Sequence, residues 1–102
     1  MDTQFKKGIL EMCILRSISR ESKYGYDIIH NMREYFPEVN ESTFYAILRR
    51  LNAEGAASVA YGEVSKGPVR KYYKITKQGI LSLEKAEKDW NKLVEAVSAV
   101  GI

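Results

Sequence analysis

The sequence predicts a mainly α chain with one small β-hairpin, and three patterns predict it. Apolar residues recur at three- and four-residue spacing in three short segments before Gly55. The period falls to about two between Ala57 and Ile75. A helical repeat then returns after Thr76 and continues to about Val100. At 102 residues there is room for one domain and none for a multidomain enzyme. The 45% apolar and 28% charged fractions, with seven Gly and two Pro, describe a chain that folds and exclude low-complexity architectures.

The first helix spans about Gln4 to Ser19 and carries two apolar stripes, Phe5, Ile9 and Met12 on one and Leu10, Ile14 and Ile18 on the other. A surface helix needs only one such stripe, so this one is expected to be buried on more than one side. Tyr24-Gly25-Tyr26 turns into a second helix, in which Ile28, Ile29, Met32, Tyr35 and Phe36 repeat at helical spacing. Pro37 ends it, because the residue before a proline is steered away from helical backbone angles. Asn40 is placed to cap the third helix with its side chain, and Glu41 complements the helix dipole. Phe44, Ile47, Leu48 and Leu51 give that helix one buried face, with Thr43, Tyr45, Ala46, Arg49 and Arg50 opposite. Gly55 supplies a left-handed cap.

Ala57 to Val64 and Arg70 to Ile75 read as two strands, with the turn chemistry of Glu63 to Pro68 between them. Thr76 caps a last helix reaching about Val100, roughly 36 Å long at 1.5 Å per residue. The expected division is residues 1–76 as a winged helix-turn-helix domain, with its wing at about 57–75, and residues 77–102 as a dimerisation helix.

The charge is unevenly spread. Residues 1–41 and 78–102 each carry a net −1, while residues 42–77 carry +5, so the third helix and the hairpin hold all the excess of a chain that totals +3. Thr43, Tyr45 and Tyr72 or Tyr73 add hydrogen-bond donors on the same elements. A helix or hairpin of this charge alone could be a solvated cationic face with no partner, but two helices, an amphipathic helix and a basic hairpin, in that order, are how a helix-turn-helix with a wing is built, which shifts the expectation towards double-stranded DNA.

Four motifs sharpen this. Gly8-Ile9-Leu10-Glu11, Tyr24-Gly25-Tyr26-Asp27-Ile28, the stretch from Thr43 to Leu51, and Gly67-Pro68-Val69-Arg70-Lys71-Tyr72-Tyr73-Lys74-Ile75-Thr76-Lys77-Gln78-Gly79 follow one another at fixed spacing. Through them the chain resembles the PadR-type winged-helix transcriptional regulators along nearly its whole length. The resemblance implies a dimeric repressor of a pseudo-palindromic promoter site. Thr43, Tyr45 and Arg49 or Arg50 would then lie at the major groove, and Lys66, Arg70, Lys71 and Tyr72 on the wing.

In the last helix Leu83, Trp90 and Val97 share one heptad position and Ala86, Leu93 and Val100 the other, with Val94 widening the stripe. A single winged-helix core cannot cover that length of stripe, so a second subunit is expected on it. The matching surface is the Phe5, Ile9 and Met12 stripe of the partner's first helix. Trp90, the only tryptophan, is either an anchor of that homodimer interface or one wall of a pocket for a small aromatic effector, and both readings stand at this stage. An alternative of another class keeps the dimer as a protein-interaction or small-molecule-binding module without specific DNA reading.

No Gly-rich phosphate loop, nucleophile elbow or carboxylate pair is present, so no catalysis and no cofactor are expected. His30 has no companion at metal-ligand spacing, and Cys13 reads as a small buried hydrophobe that cannot form an intrachain disulfide. With no signal-peptide core after Met1 and no apolar run long enough for a bilayer, the expectation is a cytoplasmic protein off the membrane.

Overall fold

Two features set the architecture: a bundle of three short helices whose buried faces meet, and a long fourth helix that starts on that bundle and leaves it. The computed structural model describes residues 3–62 and 70–102, with side chains from Lys6 onward. Lys66 and the side chain of Phe5 therefore lie outside the described residues. The elements are α1 (Thr3–Ser17), β1 (Lys23–Tyr24), α2 (Gly25–Tyr35), α3 (Glu41–Ala53), β2 (Ala57–Gly62), β3 (Arg70–Ile75) and α4 (Lys77–Val100).

One of the two stripes of α1, made of Leu10, Ile14 and Ile18, is sealed in the core together with Leu15. The other, with Ile9 and Met12, is only half-buried. Ile28, Ile29 and Met32 of α2 and Phe44, Ile47, Leu48 and Leu51 of α3 close over the first stripe, as their spacing predicts. Tyr35, at the same helical spacing in α2, points instead to solvent. Buried Lys6 extends from the start of α1 to Glu38 in the α2–α3 turn, and its ammonium lies 6.0 Å from the Phe36 ring. That pairing holds the Glu38 carboxyl below its ordinary pKa. Val39 is buried in the same turn, and Arg33 donates to its carbonyl at 3.2 Å.

Asn40 occupies the cap position of α3 with extended backbone, but its side chain makes no capping bond. Its carbonyl instead accepts from the N–H groups of Thr43 and Phe44 at 3.1 and 3.4 Å. The other end of α3 closes at Gly55, whose φ of +82° is the left-handed conformation a glycine adopts without strain. The Ala56 N–H then donates to the Leu51 carbonyl at 2.9 Å.

The sheet has three antiparallel strands in the order β1-β3-β2, one more than a hairpin. Lys23 and Tyr24 pair with Tyr73 and Tyr72, while β2 pairs with β3 from Ala57 opposite Ile75 to Gly62 opposite Arg70. Successive side chains alternate faces, which resolves the two tyrosines. Tyr73 is core, and Tyr72 lies on the outer face with Arg70 and Lys74.

A hydrogen-bonded knot joins the end of α3 to the start of α4. Thr76 accepts from the Gly79 N–H at 3.0 Å, as a cap should, and its hydroxyl also donates to the Gly55 carbonyl at 2.6 Å. The Gln78 amide donates to the Glu54 carbonyl at 2.8 Å, and the Thr76 N–H to the Ala56 carbonyl at 3.1 Å. Further along, Arg16 of α1 makes two bonds of 2.6 and 2.7 Å to the carboxylate of Glu87. Beyond Glu87 every residue of α4 is exposed. The radius of gyration of 15.0 Å, against about 13 Å for a compact chain of 100 residues, reflects this projecting helix.

Candidate nucleic-acid interface

The residues expected to meet DNA fall into three places. The first is a cleft of about 230 Å³ between α3 and the wing strand β3, where Tyr45 and Arg49 meet Lys71, with Tyr24 and Tyr26 along the side and Tyr73 in the wall. Tyr45 and Arg49 are one helical turn apart, so their side chains lie one above the other on the same face. Gly25 permits the close approach, since a Cβ there would lie 3.1 Å from the Tyr73 ring. Neither Arg49 nor Lys71 takes part in an ion pair among the described residues. Burial, followed by the nearby Glu41 carboxylate, pushes the Tyr45 phenol pKa up. Burial raises Tyr73 likewise, with Arg49 acting against it. Both tyrosines stay protonated and able to donate at neutral pH.

The second place is the outer face of the sheet. The Arg70 guanidinium lies 5.1 Å from the centre of the Tyr24 ring, in cation–π contact. Tyr72 packs at 5.9 Å on the same ring, and Gly62 leaves room for it, because a Cβ there would come within 2.5 Å of the Tyr72 ring. The aromatic row continues from Tyr24 to Tyr26 at 6.1 Å and on to His30, whose ring stacks on Tyr26 at 6.0 Å. Tyr24 thus belongs to both the cleft and the outer face.

The third place lies on the opposite side of α3. Thr43 faces a groove against α1, shared with Lys7, Ser42 and Arg50. Arg50 does not stand on the exposed face with Arg49. It is half-buried and paired with Glu11 of α1, and its guanidinium lies 3.8 Å from Glu54 one turn on. The reason is rotational: consecutive helix residues are about 100° apart, so Arg50 faces α1 when Arg49 faces the wing.

Of the positions assigned to a partner subunit, Leu83 is only 4% exposed and belongs to the subunit's own core. Ala86 is half-buried. Trp90, Leu93 and Val97 are 39, 55 and 38% exposed along the projecting part of α4. A cavity of about 440 Å³ opens between α1, α2 and α4, walled by Met12, Cys13, Met32, Phe36 and Trp90, with the Arg16–Glu87 pair at its rim. Burial pushes the Cys13 thiol pKa up, which disfavours the reactive thiolate. Among the described residues no three His, Cys, Asp or Glu side chains gather as a metal site requires, and no helix is long and apolar enough to cross a membrane.

The transcriptional regulator PadR-like family model matches residues 14–85, from the last turn of α1 into α4. The chain belongs to the PadR-like family of transcriptional regulators. Solved relatives agree over the whole fold. A PadR-like transcription factor from Bacteroides fragilis is 37% identical, with 97% of this chain and 96% of that one covered and a TM-score of 0.83. A PadR-like regulator from Bacillus cereus is 36% identical with 95% of each chain covered and a TM-score of 0.82. A Streptococcus transcriptional regulator, 28% identical over 99 and 100% of the two chains, superposes with a TM-score of 0.86. As a PadR-like chain this protein is a DNA-binding transcriptional regulator of a non-enzymatic family.

Three candidate residues in this PadR-like chain escaped sequence reasoning. Tyr24 and Tyr26 read as part of a turn, yet β1 and the first turn of α2 bring them to the cleft. Lys7, which belongs to none of the motifs, lines the groove beside Thr43. The signal for the tyrosines was in the sequence, two aromatics flanking a glycine ahead of an amphipathic helix. Lys7 had no comparable signal.

Proposed function

We propose that this protein is a homodimeric repressor of a pseudo-palindromic promoter site. In this reading α3 enters the major groove, and the wing, which carries Arg70 and Lys71 at the loop-side end of β3 and whose Lys66 lies outside the described residues, lies on the adjoining backbone or minor groove. The carrying observation is that exposed Tyr45 and Arg49 stand one turn apart on α3 directly beside Lys71 of the wing. Phosphate contacts position such a protein and base contacts specify its site. Thr43 and Arg50, on the α1 side of α3, are secondary in this arrangement. Two recognition helices related by a two-fold axis require half-sites about one helical turn, ~34 Å, apart. Fluorescence anisotropy against promoter fragments at two salt concentrations tests the reading. Binding should be sequence-selective and weaken as salt rises. Equal affinity for unrelated duplexes would remove the repressor.

The dimer reading rests on the projecting half of α4, whose Trp90, Leu93 and Val97 stripe stays 39, 55 and 38% exposed in the single subunit. The half-buried Ile9 and Met12 stripe of the partner's α1 supplies a cover. The effector reading places a small planar aromatic molecule against Trp90 in the adjacent cavity, whose wall includes Met12 of the same stripe. Sedimentation velocity of the wild type should give a dimer. A planar aromatic dye should quench Trp90 fluorescence and release bound duplex. A Trp90→Ala protein that stays dimeric and still releases DNA with the dye would strip Trp90 of the sensor role.

A further inference from the structure

We infer that the cleft between α3 and β3 seats one backbone phosphate of the bound DNA strand, held by Lys71 and the hydroxyls of Tyr26 and Tyr45, beside Arg49, whose longer side chain adds positive charge there and still reaches towards the bases. This rests on the DNA reading above and adds to it a specific ligand, a contact point and one residue, Tyr26, that the motifs do not assign. The physical necessity comes from the duplex. Its two grooves are separated by a sugar–phosphate strand, so a protein with a helix in one groove and a wing against the next must straddle that strand. Whatever lies between helix and wing then faces phosphate.

What lies between them here is suited to an anion. Among the described residues the cleft is lined by two cations and no carboxylate; Glu41, which acts on Tyr45, sits one turn back along α3 and outside the lining. Gly25, the first residue of α2, lines the cleft at an N-terminus that has no side-chain cap and carries Asp27 in its first turn. Each wall comes from a different element: Tyr45 and Arg49 from α3, Lys71 from β3, and Tyr26 from the first turn of α2. An anion in the cleft would thus fix the wing relative to the recognition helix as well as the protein relative to DNA.

Tyr26 is braced for the task. The residue is 55% exposed, but its ring stacks on His30 at an interplanar angle of 10° and lies 6.1 Å from the Tyr24 ring. Tyr24 is in turn covered by Arg70 and Tyr72. A side chain held this way loses little rotamer freedom on meeting its ligand. Removing only its hydroxyl leaves the stack intact, so Tyr26→Phe is a clean deletion of one donor.

The test uses the full chain and a duplex it selects from a random pool. Phosphates of that duplex are neutralised one at a time as methylphosphonates, and affinities are measured for the wild type, Tyr26→Phe and Lys71→Gln. Tyr26→Phe should bind the unmodified duplex roughly three- to tenfold more weakly, the range for one lost hydrogen bond. Lys71→Gln should lower the slope of log affinity against log salt by about one. At one phosphate in each half-site, neutralisation should abolish the difference between wild type and both variants. If the variants keep the same disadvantage at every neutralised position, or Tyr26→Phe binds as the wild type does, the phosphate seat is overturned and DNA binding stands. If the pool yields no preferred duplex, the specific-binding reading falls and the seat falls with it.

Discussion

Gly79→Ala will destabilise the protein by about 3 kcal/mol or more, near the top of the range for forcing an extra methyl into a packed site. A Cβ at Gly79 would fall on the Ala56 carbonyl oxygen and lie 2.8 Å from the Ile75 side chain. The colliding atom is backbone, and the backbone has nowhere to go. The Ala56 carbonyl already accepts from Thr76, the Gly55 carbonyl is held by the Thr76 hydroxyl, and the Gly79 N–H is itself the donor that caps α4. For a domain near this size, 3 kcal/mol corresponds to a fall in midpoint of roughly 12–24 °C. Thermal unfolding followed by circular dichroism measures it. A fall of under about 4 °C, the shift for less than 1 kcal/mol, would mean that α4 slides away from α3 at little cost.

Arg49→Ala will cost about 1–3 kcal/mol of DNA affinity if its guanidinium reads a guanine, and the loss will be confined to duplexes carrying that base. Its thermal midpoint will stay at the wild-type value, since Arg49 is exposed and ion-paired with no described residue. Arg50→Ala provides the contrast. It strips Glu11 of its partner between α1 and α3, so its first effect is on stability, with affinity for every duplex changing alike. Titration of both variants against the selected duplex and single-base changes of it separates the two. A uniform loss for Arg49→Ala across all base changes would move that residue from base reading to backbone contact.

The helices were legible because their apolar spacing is long enough to count. The three core faces, the glycine stop of α3, the Thr76 cap and the span of β3 all follow from residues that leave a periodic or steric mark. β1 was not legible, because two residues have no period and Lys23-Tyr24 becomes a strand only when β3 is beside it. Arg49 and Arg50 are indistinguishable as letters. Their roles diverge by a rotation of one residue and by the presence of Glu11, which only the packing of α1 reveals. Leu83 differs from the rest of its stripe for a related reason: the heptad register of α4 is continuous, but its first turns lie on their own domain, so the same stripe is core at Leu83 and exposed from Trp90 onward.

The far end of α4 is finished without help from any neighbour. Gly101 takes a left-handed φ of 108°, and its N–H and that of Ile102 return to the carbonyls of Ser98 and Val97. A segment that winds up only on meeting its partner must give up backbone freedom at that moment, at roughly 1–2 kcal/mol per residue. The stretch from Lys88 to Val100 is helical in the single chain. In the proposed dimer that entropy is spent during folding of the single chain, so association need only order side chains and bring two preformed rods together.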